Sequence, residues 1–387
     1  MEFPAPLSLK DTRLFEPLKV GSVTLSHRVV LAPLTRFRAE QNVPQEIMVQ
    51  YYRDRSSKPG TLVITEAIAV SPQDANLNQP GIWAENQIDG WSQIFHTIHE
   101  NQSYVFVQLF SLGRQASPAY LKRNGYDYVS ASAGLYKDEA SEREAFEHGL
   151  AQRELTIDEI HHYTNKFVIA AQNSIRAGAD GVELHAANGY LLNQFLDPIS
   201  NVRTDQYGGS IENRARFLLE TVDAVIDAIG ADKVAVRLSP FNVFGGMSGV
   251  EETLIVAQNA YVIGELEKRA QQSGYRIAYI SIVEPRVIDS NLEGDSDISQ
   301  GSFISTDFIY SIWRGVVIKA GNFAHHPELI RVETDKPQTC IAYGRVFISN
   351  PDLPDRLYNG WPLAKYNRDT FYTSEDEGYN DYPFYSE

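Results

Sequence analysis

The stretch ELHAANGYLL (183–192) sets an imidazole, a carboxamide and a phenol close together among apolar neighbours: His185, Asn188 and Tyr190. If the segment turns helically, residues three apart share a face, so His185 and Asn188 can aim two donors at one oxygen. Such a pair stabilises an oxygen that gains negative charge in a reaction more than the same oxygen at rest. A phenol nearby is then a candidate general acid. Against this, a His or Tyr amid apolar residues is more often a satisfied core side chain. The elements around the stretch have to decide.

Short β-rich apolar runs recur along the chain: RVVLAP (28–33), TLVITEA (61–67), YVFVQLF (104–110), GVELHAA (181–187), KVAVRLS (233–239), AYISIVE (278–284), VVIKAGN (316–322) and TCIAYGR (339–345). Several are apolar nearly throughout, as parallel strands buried on both faces require. Helical patterns separate them. Thr156 and Glu159 form a capping box before a long helix that stops at Gly178. Ser210 caps the next one, whose apolar face carries Val222, Val225, Ile226 and Ile229 and whose end is Gly230. Eight strands alternating with helices predict an α/β fold: a single-domain (β/α)8 TIM barrel over residues 1–387. An open doubly wound sheet is the runner-up, but its GxGxxG fingerprint is missing. FEPLKVGSVTLSHR reads as an N-terminal hairpin closing the barrel floor. Leu112 to Leu155 is a long insertion after the third strand, and an acidic, tyrosine-rich tail (366–387) is expected near the site mouth.

Composition narrows the function. With 43% hydrophobic and 11% aromatic residues in 387, the chain can build a sizeable core. A net charge of −16, from 34 basic against 50 acidic residues and with no basic stripe, argues against nucleic-acid partners. Cys340 is the sole cysteine, which excludes an internal disulfide and suits a reducing compartment. No signal-peptide core and no run of about 18 apolar residues is present. The expectation is a cytoplasmic protein with no membrane partner, a monomer or a homodimer.

In barrel enzymes the working residues sit at the C-terminal strand ends. Here those ends carry Thr35, Ala67, Gln108, His185 with Asn188, Arg237, Glu284 with Arg286, Gly321 with Asn322, and Gly344 with Arg345. A metal-dependent hydrolase needs several His and Asp on different strand ends, and only one end offers histidine. His161 and His162 fall in a helix as surface residues. No metal site is expected. Amides with arginine suit a planar heterocycle edged with carbonyls and N–H groups and bearing a phosphate. AGN and YGR supply glycines that let backbone N–H groups approach, and Arg345 can pair with the phosphate. Gln108 can read a pyrimidine-like edge, and Arg237 offers positive charge where a reduced ring would be negative. Each residue alone has an ordinary explanation as a strand cap or an ion-pair partner. Jointly they fit flavin mononucleotide.

LAPLTRFRA, LVITEA, HAANGYLLNQFLDPISNVRTDQYGGSIENRARFLLE, VRLSP, YISIVEPR, IKAGNF and YGRVFISNPDLP together resemble the old yellow enzyme family, FMN-dependent NADPH dehydrogenases and ene-reductases, in its yeast-like form. The likeness runs from about Leu14 to the tail. It implies a barrel that holds FMN non-covalently, is reduced by NADPH and is reoxidised by an activated alkene. It places Pro33, Leu34, Thr35, Ala67 and Gln108 along the flavin ring and Arg237 by its N1–C2 edge. Gly321, Asn322, Gly344 and Arg345 fall at the phosphate. His185 and Asn188 would bind the carbonyl of an enone or a phenolate, and Tyr190 would donate the proton. Phe37, Phe110, Asn291 and Tyr372, with Phe371, would line the substrate space.

Three positions depart from the yeast pattern. Ala67 replaces a frequent glycine; Phe110 replaces a common tryptophan, which should enlarge the pocket; Asn291 stands where an aromatic is frequent. They bear on substrate range. A dienoyl-CoA reductase would need an iron–sulfur cluster, which one cysteine cannot hold. The alternative from another class is a flavoprotein that binds phenols or steroids, with turnover incidental.

Overall fold

The computed structural model describes residues 2–289, 291–292 and 304–386. Eight parallel strands form the barrel: β1 Val29–Leu31, β2 Leu62–Ile64, β3 Tyr104–Phe110, β4 Gly181–Ala186, β5 Val234–Leu238, β6 Tyr279–Val283, β7 Val316–Ala320 and β8 Thr339–Tyr343. Each pairs with the next, and β8 returns to β1 through Ile341↔Val29 and Tyr343↔Leu31. Each lies within one of the eight predicted runs, and β3 matches its run in full. A further short strand, Ile68–Ala69, pairs with the end of β3.

The floor is the expected hairpin, Leu18–Val20 against Val23–Leu25. Its turn residue Gly21 has φ 54°, and a Cβ there would lie 2.0 Å from the Asp232 carbonyl oxygen and 2.8 Å from Ala278 Cβ. The turn therefore presses against the starts of β5 and β6, and only glycine fits. Val20, Val23 and Leu25 join Val30, Leu62, Phe106, Tyr279 and Ile318 in the apolar lower interior.

Outside, the helices cover the strands. Thr156 and Glu159 make the reciprocal cap: Glu159 N–H donates to Thr156 Oγ1 at 3.2 Å, and Thr156 N–H to Glu159 Oε2 at 2.8 Å. The helix Ile157–Arg176 buries Ile160, Phe167 and Ala171. Ser210 caps Ile211–Ile229, which buries Val222 and Val225, keeps Ile226 and Ile229 half-buried against the core, and ends at Gly230. The insertion after β3 is itself folded, with helices Pro118–Asn124 and Glu139–Glu147 and a parallel pair, Val129–Ser130 with Arg153–Glu154. It packs Leu112, Leu121 and Tyr128 with Phe110 into a separate cluster on which Tyr190 rests. The insertion thus buttresses the wall on which the His–Asn–Tyr stretch lies.

Candidate active site

A cavity of about 420 Å³ opens at the C-terminal strand ends. Pro33, Leu34 and Thr35 past β1, Ala67 past β2, Gln108 on β3 and Arg237 on β5 line it, as do Gly321 and Asn322 past β7 and Gly344 and Arg345 past β8. His185, Asn188 and Tyr190 form another part of the wall. Phe37, Asn291, Phe371 and Tyr372 lie at the same cavity, Phe371 and Tyr372 contributed by the tail. Phe110 does not line it. The strand Ile68–Ala69 and the insertion cover Phe110 completely, and its ring meets Tyr190 edge-on at 5.1 Å. The expectation that this phenylalanine enlarges the pocket is corrected: its size bears on how Tyr190 sits.

The wall that carries the donors is not helical, as its i, i+3 spacing had suggested. β4 runs to Ala186, after which Asn188 (φ 54°) and Gly189 (φ 72°) make a left-handed turn. A Cβ on Gly189 would lie 2.7 Å from Gln115 Nε2 and 2.8 Å from the Phe244 carbonyl oxygen, so the turn has room for glycine alone. Asn188 N–H donates to Ser239 Oγ at 2.8 Å and Gly189 N–H to Asn193 Oδ1 at 2.9 Å. Tyr190 then caps the short helix Leu191–Leu196, its ring centroid 4.8 Å from that of His185.

The electrostatics suit neutral donors. Burial, with Arg237 adding to it, holds the His185 imidazole well below the usual histidine range, so it is uncharged at neutral pH. Burial, reinforced by Tyr372 and opposed by Arg237, pushes the Tyr190 phenol up to about 12, so it keeps its proton. His185 Nδ1 and the Asn188 side-chain oxygen are buried without a hydrogen-bond partner. Unpaired polar atoms at a cavity cost about 1–3 kcal/mol each unless a ligand meets them.

Two residues that sequence reasoning passed over lie just behind the cavity lining and contact it. Glu183, fully buried on β4, accepts from Gln108 Nε2 at 2.6 Å and lies in register with Gln108 and Ala235. Burial raises its carboxyl pKa, and the nearby Arg237 charge opposes the rise. Its signal was a charge inside an apolar strand, two residues before His185. Glu66 is the other, buried beside Ala67, with its Oε2 accepting from Arg36 N–H at 3.3 Å. Arg237 is buried too: burial lowers its pKa, Glu183 opposes, and its Nε has no partner.

At the opposite end Gly321 (φ 155°) would bring a Cβ within 2.5 Å of Glu284 Cβ, and a Cβ on Gly344 would lie 3.2 Å from Leu34 Cδ2. A side chain at 321 would collide with Glu284 behind the wall, and one at 344 would press on Leu34, which lines the cavity. Arg286 Nε donates to the Gly321 carbonyl at 3.0 Å, so the strand-end pair Glu284 and Arg286 supports this loop without lining the cavity. Among the described residues, no group of three or more His, Cys, Asp or Glu is placed to hold a metal, and no helix is long and apolar enough to cross a membrane. His161 and His162 are exposed.

Residues 13–364 match the NADH:flavin oxidoreductase / NADH oxidase family. Enoate reductase 1 of Kluyveromyces lactis is 50% identical over 386 residues, spanning 99% of this chain and 96% of its own length. A probable NADPH dehydrogenase of Candida albicans is 44% identical over 385 residues, 97% of this chain and 91% of its own. The crystal structure of Old Yellow Enzyme from Pichia sp. AKU4542 superposes with a TM-score of 0.90 at 42% identity, over 98% of this chain and 95% of that one. The chain belongs to the old yellow enzyme family. Like other old yellow enzymes it is an FMN-dependent oxidoreductase that takes electrons from a reduced nicotinamide and acts on small molecules, in ene-reduction generally. The residues present fit FMN. Arg237, with its Nε unpaired, lines a cavity of about 420 Å³ that Gly321, Gly344 and Arg345 also line.

Proposed function

We propose that this old yellow enzyme reduces the C=C bond of α,β-unsaturated carbonyl compounds, with His185 and Asn188 holding the carbonyl oxygen and Tyr190 protonating the α-carbon. The observation that carries the reading is the buried His185 Nδ1, left without a partner, with the Asn188 amide in the same cavity wall and a tyrosine that remains protonated beside them. FMN, once reduced by NADPH, would supply the hydride that the β-carbon takes up. As the hydride arrives, negative charge grows on the carbonyl oxygen. A neutral imidazole N–H and the Asn188 amide, fixed beforehand by the left-handed turn, stabilise that oxygen more in the transition state than in the bound enone. Tyr190, braced by Phe110 and His185, holds the second hydrogen as a proton for the α-carbon. Arg237 would place its charge at the N1–C2 edge of the ring, and Gln108, locked by Glu183, would read the ring's polar edge. Arg345, Gly321, Asn322 and Gly344 would hold the phosphate.

The enoate reductase name of the Kluyveromyces lactis relative supports the substrate class. Phenols fit the same donor pair, so His185→Ala and Asn188→Ala weaken phenol binding and enone reduction together. A protein that merely binds phenols is separated from a reductase by Tyr190→Phe. The phenol proton is not needed for reduction by NADPH, so that half-reaction stays within a few-fold of wild type. Reoxidation by cyclohexenone slows by about 10²–10⁴, the usual loss of a positioned acid, while a quinone still reoxidises the variant normally. Stopped-flow of both half-reactions reads this out. Equal slowing with enone and quinone, or none with either, removes Tyr190 from the mechanism.

A further inference from the structure

The tail reaches the cavity under an unusual constraint. Arg36 and Arg38, which flank Phe37, are both buried and both donate to the tail's backbone. Arg36 Nε and Arg38 Nη1 converge on the Phe371 carbonyl at 3.1 and 2.9 Å. Arg38 further donates to the Thr370 carbonyl at 3.0 Å, the Thr373 hydroxyl at 2.8 Å and the Glu375 carbonyl at 2.9 Å. Arg36 Nη2 donates to the Gly378 carbonyl at 2.8 Å, and Arg55 to the Tyr379 carbonyl at 3.0 Å. Tyr379, fully buried, stacks on Tyr51 at 4.3 Å and 10°, and the Arg36 and Arg38 guanidinium groups lie over its ring at 4.9 and 4.5 Å.

The doubly held carbonyl belongs to the peptide bond that leads into Tyr372. That side chain is 54% exposed at the cavity mouth, and its ring centroid is 5.7 Å from Phe37. Phe37 itself has φ 56°, a left-handed conformation costly for a side chain of its size. It is held on both sides by the two clamped arginines. Glu66 joins the clamp to the cofactor side: its carboxylate takes the Arg36 N–H, its own N–H donates to Tyr52 Oη at 3.0 Å, and its chain neighbour Ala67 lines the cavity. Burial pushes its pKa to about 7 against the pull of the Arg36 N–H, Arg36 and Arg38.

We infer that Arg36 and Arg38 are positioning residues for substrate: by holding the Phe371 carbonyl they fix Tyr372 against Phe37 as one wall of the cavity. The tail, as well as the barrel, then sets which enones and phenols bind. This rests on the reductase reading for the enone and, for the phenol, on the same reading of His185 and Asn188 as donors to a bound oxygen. The two are separated by measuring p-chlorophenol binding to the oxidised FMN-loaded enzyme, which involves no turnover.

The test is a double-mutant cycle between Arg38→Met and Tyr372→Ala. Arg38 lies behind the cavity wall and does not line it. Each single variant is expected to raise the p-chlorophenol Kd on the order of tenfold, as a displaced positioning group does. The pair together costs no more than the larger single effect, because Arg38 acts through Tyr372. Arg38→Lys, which keeps charge but not the fork, falls between wild type and Arg38→Met. Hydrogen exchange of residues 370–379 speeds up in Arg38→Met, while the FMN potential stays at the wild-type value. A merely structural clamp would lower Tm and leave the phenol Kd unmoved, which overturns the proposal; so do additive effects in the cycle. If Arg38→Met does not load FMN, Arg38→Lys against Tyr372→Ala makes the same cycle.

Discussion

Arg237 and Lys319 are both cations sealed in the barrel wall, Arg237 on β5 facing the cavity and Lys319 on β7 facing the helices. Lys319 Nζ lies 3.1 Å from Glu284, 2.7 Å from Asp307 and 2.9 Å from Glu333. Although burial opposes its charge, these carboxylates and Tyr310 hold the ammonium above the usual lysine range. Arg237 has a lowered pKa, with Glu183 as its chief counter-charge, and an Nε without a partner. Both positions are buried, so burial does not separate structure from function. Satisfaction does. A cation matched by three carboxylates is committed to the fold; one with a free donor at a cavity has charge left for a ligand.

The comparison is broken most severely at Lys319. Lys319→Met takes from the buried Glu284 carboxylate its nearer cation and is expected to cost about 3–5 kcal/mol in denaturant unfolding, with a smaller effect on flavin potential than any change at Arg237. If stability holds within 1 kcal/mol of wild type, an order-of-magnitude bound, the site is not saturated as argued.

Histidines sharpen the same contrast through pH. His27, buried below the barrel, is pushed down to about 4 by burial, with Lys58 adding and a Val29 backbone contact opposing. Its folded pKa lies below its unfolded one near 6.5, so its stabilising effect is present above pH 6.5 and is lost as pH falls towards 4. The loss is on the order of 3 kcal/mol. His185 shifts in the same direction. His27→Gln therefore flattens the acid limb of stability without touching enone turnover; an unchanged acid limb contradicts it.

Arg345→Ala should release FMN on dialysis, one charge-assisted bond to phosphate contributing on the order of 1.5–3 kcal/mol. Full retention of cofactor removes Arg345 from the phosphate. Arg237→Met is the smallest effect and the most direct test of the comparison. Losing its charge makes the flavin harder to reduce, by on the order of 30–60 mV if one such bond is lost. NADPH reduction slows with it. An unmoved potential in a folded, FMN-loaded variant means that Arg237 is as structural as Lys319.

Sequence periodicity sufficed for the barrel because a strand buried on both faces has to be apolar throughout, and each run carries that requirement locally. The capping box at Thr156 and Glu159 and the stop at Gly230 were legible for the same reason: the groups that satisfy a helix end lie within a few residues of it. The strand-end residues were legible once the barrel was, since its C-terminal ends converge on one cavity. What the tertiary structure alone decided lay between distant segments. The left-handed turn at Asn188 depends on Ser239, Gln115 and Phe244 from other loops. Phe110 left the cavity because the insertion covers it. Glu183 meets Gln108 only across a strand pair, and the arginines at 36 and 38 meet carbonyls more than 330 positions away. Such contacts leave no periodicity in the chain, because each is made by a side chain crossing space rather than by neighbours along the backbone.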